Sequence, residues 1–208
     1  MIRAAAIAGM SMAHLVTGCG GMDGDSMMID QALVGDWEEC ENSDRWVSFG
    51  VDGSYSYNES GEDDFRIDGT HSADGRMLSI ASENQDGAPT ETEMTYYASD
   101  TTLVLLASRP LGSNDGVVGT WESRLWSTDG VEVSGYEQVL ELRDDMTGHV
   151  TRTPYDDTEP ADREVVWELD SETPGGYRFG FQEGSINFWF SFQFIDDNAL
   201  GTPYHCRR

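Results

Sequence analysis

The stretch "LVGDWEEC" at Leu33–Cys40 recurs in altered form as "VVGTWESR" at Val117–Arg124. Each copy reads two apolar residues, a glycine, one further residue, a tryptophan and a glutamate. After each copy come short segments in which every second residue is apolar, separated by Asp-Gly and related turns. Side chains alternate between the two faces of a strand with a period of two residues. Beyond the first 18 residues, no segment combines the 3.6-residue period of a helix with capping residues at its ends. The sequence therefore predicts an all-β chain in which one β unit is written twice.

Two segments show the strand pattern most clearly. In "WVSFGVDGSYSY", Trp46–Tyr57, apolar residues alternate on both sides of Asp52-Gly53, which is typical of a β-hairpin. In "INFWFSFQF", Ile186–Phe194, an isoleucine and four phenylalanines occupy every second position. A helix would spread these residues around its circumference, so the alternation indicates strands joined as an antiparallel meander.

The order of these motifs resembles bacterial lipocalin-like domains. Gly-x-Trp comes first, the Asp-Gly hairpin follows, and "MTYYASDTTLVLL", Met94–Leu106, supplies a late strand pair. The resemblance implies two lipocalin-like β-barrel-type repeats, at residues 32–109 and 116–208. The Pro/Gly-containing linker between them favours two separate units, and one larger merged barrel is the alternative.

In lipocalin-like folds the tryptophan of Gly-x-Trp caps the closed end of the barrel. The resemblance therefore implies structural roles for Trp37 and Trp121, with Gly35 and Gly119 permitting close backbone approach beside each ring. An ordinary core tryptophan is the alternative interpretation, and it makes nearly the same structural prediction.

The N-terminal sequence indicates export. Arg3 precedes a short apolar stretch that is too short to span a bilayer. "LVTGC", Leu15–Cys19, resembles a bacterial lipobox, which implies a signal peptide at 1–18, an acylated Cys19 and a flexible tether at 19–31. The protein would then be lipid-anchored in the bacterial cell envelope, and the absence of Asp directly after Cys19 favours the outer membrane. An ordinary cleaved signal peptide or a cytosolic N-terminus are the alternatives.

With Cys19 acylated, Cys40 and Cys206 are the two cysteines left. An exported chain with two remaining thiols is a candidate for one disulfide, which would join the start of the folded region to its end. Two free, buried thiols are the alternative.

The charge balance limits the kinds of binding partner that are expected for this protein. The chain has 39 acidic residues against 12 basic ones, for a formal net charge of −27. Such a surface repels phosphate backbones, so nucleic-acid binding is not expected. The acidic residues keep the surface hydrated, and they would complement a cationic partner in the envelope. Diffuse calcium binding is a further alternative, although no EF-hand spacing is present.

Motifs for catalysis are missing from the sequence. It has no zinc-spaced histidine pair, no Gly-x-Ser-x-Gly elbow and no phosphate-binding loop. We therefore expect no catalytic residues, no metal and no cofactor.

Two functions remain open. The first is a lipid-anchored module that binds a small apolar ligand in the mouth of the second barrel. Its expected lining is aromatic and consists of Trp167, Phe179, Phe181, Phe188, Phe190 and Phe192. The second is a non-catalytic structural or interaction protein of the outer envelope, whose β units are packed solid. The volume inside the barrels distinguishes the two hypotheses.

Overall fold

Antiparallel strands form the framework of the chain, and the all-β prediction is confirmed. The computed structural model describes residues 28–40, 42–58, 66–84, 87–173, 176–183, 186–195, 198–201 and 205–208. The expected signal peptide and Cys19 lie outside these residues, as does most of the expected tether. The strands within them are β1 (Gly35–Glu39), β2 (Asn42–Phe49), β3 (Ser54–Asn58), β4 (Arg66–Ala73), β5 (Met77–Glu83), β6 (Pro89–Ala98), β7 (Thr102–Leu105), β8 (Arg109–Pro110), β9 (Gly119–Thr128), β10 (Val133–Leu142), β11 (Thr147–Pro154), β12 (Ala161–Leu169), β13 (Gly176–Glu183), β14 (Ile186–Ile195), β15 (Ala199–Gly201) and β16 (His205–Arg207).

The first repeat forms a closed barrel. Strands β1 to β7 follow one another as an antiparallel meander, in which each strand pairs with the next. Strand β16, from the far end of the chain, lies between β7 and β1 and pairs with both. The result is an eight-stranded barrel that the C-terminal strand completes.

The second repeat forms a similar ring. Strands β9 to β15 make another antiparallel meander. At its end, Leu200 exchanges two backbone hydrogen bonds with Ser108, at 2.8 and 2.9 Å. The next two residues form β8, which pairs with β9 and so closes the ring. The two barrels are also joined directly, because part of β6 pairs with β9.

The last strand of each repeat therefore completes the barrel of the other. The two exchanged strands occupy equivalent positions, since Arg207 of β16 lies opposite Trp37 and Pro110 of β8 lies opposite Trp121. The predicted disulfide is present and fixes the first exchange: Cys40 and Cys206 are bonded, with Cα atoms 5.1 Å apart.

The two Gly-x-Trp motifs have the same local structure. Trp37 and Trp121 are both fully buried. Their indole N–H groups donate to the carbonyl oxygens of Leu33, at 2.8 Å, and Val117, at 2.9 Å. In both cases the acceptor lies four residues earlier in the chain, so the duplicated sequence encodes a duplicated tryptophan anchor. A buried indole N–H needs such a partner, because losing its hydrogen bond to water is costly.

Each barrel has its own apolar core. In the first barrel, the largest buried side chains surround Trp37 and include Phe49, Leu78, Tyr96 and Leu103. The core of the second barrel is built around Trp121, Leu140, Leu142, Val165, Trp167 and Phe192. Because side chains alternate between the two faces of a strand, residues two positions before or after these core residues also face the interior.

Candidate ligand-binding site

The aromatic residues expected to line a site are brought together on β13 and β14. The two strands are antiparallel neighbours, and their inward-facing rings meet in directly opposed pairs. From the buried end of the barrel outward, the stacked pairs are Tyr177–Phe192 at 5.7 Å, Phe179–Phe190 at 5.4 Å and Phe181–Phe188 at 5.2 Å between ring centroids. The rings form a continuous aromatic wall inside the second barrel.

This wall borders a cavity of about 280 Å³. Phe179, Phe181 and Phe190 line one side of it, and Val150 and Ala161 of β11 and β12 lie on the other side. The walls are thus largely apolar, and the cavity is located toward the open end of the barrel, where Phe190 is 48% exposed. We call this space the mouth cavity.

A second cavity of about 230 Å³ adjoins the mouth cavity. Gln138 and Phe179 border both spaces. This second cavity extends past Leu140, Phe192 and Leu200 to Leu105 and Leu106 of the first repeat, and the exposed Ser191 lies at its edge. The second barrel therefore has a mainly apolar cavity at its mouth and a neighbouring cavity that reaches the junction with the first repeat.

The six predicted lining residues lie at different positions along strands β12 to β14. Phe179, Phe181 and Phe190 line the mouth cavity, and Phe192 lines the second cavity together with Phe179. Phe188 stacks on Phe181 at the rim and is 37% exposed.

Trp167 belongs to the core at the closed end of the barrel. Its indole N–H lies 3.0 Å from the carbonyl oxygens of both Arg143 and Thr147. The side chain is buried and stacks obliquely against Tyr177. The structure thus gives Trp167 an anchoring position.

Polar residues of the mouth were missed by the sequence reasoning. Gln138, Arg152 and Arg163 line the mouth cavity together with the aromatic residues. Strand alternation could have identified both arginines, because Arg152 follows Val150 by two residues and Arg163 precedes Val165 by two. They were overlooked because arginine is usually assigned to a solvent-exposed face.

The two arginines are held in place by rings. The guanidinium carbon of Arg152 lies 4.1 Å from the ring centroid of Tyr136, and that of Arg163 lies 4.8 Å from the centroid of Phe181. Arg152 also donates to Oε1 of Gln138 from Nη2, at 2.6 Å, and from Nε, at 3.1 Å. These contacts orient the Arg152 guanidinium at the edge of the mouth cavity.

Arg152 differs from most arginines of this acidic chain. Within the described residues, the arginines that form ion pairs with carboxylates include Arg45, Arg66, Arg76, Arg124, Arg143, Arg178 and Arg208. Arg152 instead contacts an amide and a ring. The mouth cavity thus has a cationic rim on a protein whose surface is otherwise dominated by carboxylates.

A larger groove of about 400 Å³ lies on the outside of the molecule, across β4, β5, β6 and β9. Its lining mixes Thr70, Ser72, Ser79, Glu91 and Glu93 with the apolar side chains of Met28, Ile80, Ala81 and Trp126. The groove lies on an open sheet face with two carboxylates, whereas the mouth cavity is bordered by stacked phenylalanine rings. We therefore place the candidate site in the second barrel and not in this groove.

His149 lies on the outer surface of the second barrel between two carboxylates. Its Nδ1 is 3.2 Å from Oε1 of Glu164, and its Nε2 contacts Asp162. The hydrogen bond with Glu164 raises the pKa of His149, and the negative charge of Asp162 acts in the same direction. Among the described residues, no group of three or more His, Cys, Asp and Glu side chains is arranged to hold a metal ion.

In the described part of the chain, no helix has the length and apolar character needed to cross a bilayer.

Comparison of the chain with protein-family models, curated proteins and solved structures finds no significant match.

Proposed function

We propose that this protein is a lipocalin-like binding module that holds a small, mainly apolar ligand in the mouth cavity of the second barrel. The observation that carries the proposal is the mouth cavity of about 280 Å³, one wall of which is formed by Phe179, Phe181 and Phe190. A second cavity of about 230 Å³ adjoins it. Small barrels are filled by side chains when they serve only as scaffolds. The alternative of solid-packed β units accounts less well for this interior.

The exposed rings at the mouth supply the driving force. Phe188 and Phe190 are 37% and 48% exposed although they face the barrel interior. A ligand that covers them removes apolar surface from water, which is worth about 25 cal/mol per Å² before the costs of association are subtracted. The stacked partners Phe181 and Phe179 hold the rings in position, so little conformational entropy is lost on binding.

Binding is tested with a neutral apolar fluorophore, N-phenyl-1-naphthylamine, titrated into the full chain. Phe190→Ala removes the centre of the aromatic wall and should weaken binding about tenfold, equivalent to about 1.4 kcal/mol. Trp189→Ala is the matched control, since Trp189 is the next residue of β14, is similarly exposed and faces outward over Gly180. Absence of binding, or an equal loss in both variants, would overturn the proposal.

The proposed setting is the bacterial cell envelope, with the barrels tethered to the outer membrane through acylated Cys19. The support is the lipobox-like sequence and the disulfide, which requires an oxidising compartment. The test is fractionation of cells expressing the full chain. The wild-type protein should sediment with membranes and Cys19→Ser should not, whereas equal sedimentation of the two would refute the anchor.

A further inference from the structure

We infer that the ligand carries an anionic group, most simply a carboxylate, which Arg152 and Arg163 bind at the rim while its apolar body occupies the mouth cavity. The inference rests on the proposed function and specifies its ligand class: a small amphipathic anion. It is based on the positions of Arg152 and Arg163, two charged residues with which a purely apolar ligand would make no polar contact.

The placement of the arginines is the first argument. Both belong to the inward-facing rows of β11 and β12, and both line the same cavity as Phe179, Phe181 and Phe190. An apolar body lying against the rings would therefore place its end group close to both guanidinium groups. A ligand with a single terminal charge matches this division into an apolar wall and a cationic rim.

The hydrogen-bonding capacity of Arg152 is the second argument. A guanidinium has five N–H donors, and the bonds to Gln138 use Nε and Nη2. The Nη1 donors of Arg152 remain for a further acceptor. The contact with the Tyr136 ring and the bonds to Gln138 hold the guanidinium in position, and a positioned guanidinium favours recognition of a carboxylate.

The charge surroundings are the third argument. The chain has 39 acidic residues, and in the described part most arginines pair with one of them. Arg152 contacts an amide and a ring, and no carboxylate of the described residues forms an ion pair with it. Both arginines are solvent-exposed, so their attraction for an anion depends on hydrogen bonds from a positioned guanidinium as well as on charge. The charges of carboxylates elsewhere on the surface are screened over about 8 Å at physiological ionic strength.

The test compares three ten-carbon probes that differ in their end group: decanoate, decanol and decyltrimethylammonium. Each displaces the neutral fluorophore from the full chain at about pH 8, where decanoate is ionised. We expect decanoate to bind about tenfold more tightly than decanol, and the cationic probe to bind most weakly. Arg152→Gln should remove about tenfold from decanoate affinity and leave decanol within about twofold.

Arg178→Gln is the matched control variant. Arg178 stacks on Trp189, 5.0 Å from its centroid, and pairs with Glu168 on the outer face of the same barrel. It should leave the affinity for all three probes unchanged. Arg163→Gln and Arg152→Lys provide independent variants, and Arg152→Lys should retain part of the preference for decanoate because it keeps the charge without the fork.

The outcomes separate the two proposals. If decanol and decanoate bind equally and neither arginine variant changes their ratio, the anion inference is wrong and the apolar site stands. If neither the fluorophore nor any probe binds, the proposed function itself fails. If decanoate is preferred and the Arg178→Gln variant loses that preference as fully as Arg152→Gln, the anion site is not at the mouth.

Discussion

Arg207 lies directly opposite Trp37 across the β16–β1 pair and stacks on its indole, with the guanidinium carbon 5.0 Å from the ring centroid. The same side chain donates to the carbonyl oxygens of Val34, at 2.5 Å, and Asp100, at 3.4 Å. One arginine thus joins the exchanged strand to the tryptophan anchor and to the turn before β7. The closure of the first barrel depends on contacts between residues at opposite ends of the sequence.

Replacing Arg207 by alanine should destabilise the protein by about 1–2 kcal/mol, because the stacking contact and both hydrogen bonds are lost. The measurement is urea unfolding of the full chain. Arg208→Ala is the control, since the Arg208 side chain forms an exposed ion pair with Glu38 at 3.6 Å. That pair should contribute at most about 1 kcal/mol. Equal effects of the two variants would remove the special role of Arg207.

Reduction of the disulfide should lower the unfolding midpoint. The bond closes a loop with a sequence separation of 166 residues. The chain-entropy model gives an upper limit of about 5 kcal/mol for a loop of this size. Wild-type protein and a Cys40→Ser/Cys206→Ser variant are unfolded with and without a reductant. The reductant should destabilise only the wild type, and an effect of similar size on the variant would contradict the prediction.

Gly119→Ala should cost about 1–3 kcal/mol of stability, because the backbone at Gly119 is unfavourable for other residues. Its φ is +148°, and a Cβ there would lie 2.1 Å from Oδ1 of Asn114. That oxygen accepts the N–H of Thr120 at 3.2 Å, so moving it also disturbs the start of β9. In Gly112→Ala, the added carbon meets nothing within 4 Å and stability should be unchanged. Thermal unfolding of both variants provides the comparison.

Two histidines should titrate in opposite directions from the ordinary value of 6.5. His71 is buried in the first barrel, and its Nδ1 lies 3.0 Å from the carbonyl oxygen of Ser54. The carbonyl can only accept, so Nδ1 carries the proton of the neutral ring. Burial lowers the pKa of His71, whereas Glu164 and Asp162 raise the pKa of His149. NMR titration of the imidazole resonances measures both values, and a His71 pKa above that of His149 would contradict the structure.

The two shifts have opposite consequences for stability. The contribution of His71 is fully present above about pH 6.5 and is lost as the pH falls toward its lowered pKa, because the unfolded chain then binds the proton more readily. The contribution of His149 is present below about pH 6.5 and is lost as the pH rises through its raised pKa. The urea concentration at the unfolding midpoint should therefore differ most between the His71→Asn variant and the wild type at neutral pH.

The sequence predicted where strands occur better than it predicted which strands pair with each other. The alternating phenylalanines of Ile186–Phe194 identified β14, because an inward-facing aromatic row has a period of two. Their stacking on Tyr177, Phe179 and Phe181 depends on the register with β13, which periodicity does not determine. The two cysteines indicated that the chain ends meet. The exchange of β8 could not be inferred, since two residues are too few to show any period.

The cationic rim was missed for a different reason. Hydrophobic alternation locates apolar residues on an inward face, and an arginine within that row is taken to be an interruption. The structure shows that the row continues through Arg152 and Arg163, both of which lie against rings. Extending the alternation to every residue of β11 and β12 would have located both cations, but not the cavity that they border.

The exchange of β16 and β8 between the barrels also constrains the order in which the protein can mature. Strand β16 is translated after all the other described strands, yet the first barrel needs it between β7 and β1. The first barrel therefore cannot close on the ribosome while the second repeat is still being synthesised. For the export proposed above, this delay would keep the first barrel open until the whole chain has been made. Bonding of Cys40 to Cys206 would then accompany the insertion of β16 and the closure of the barrel.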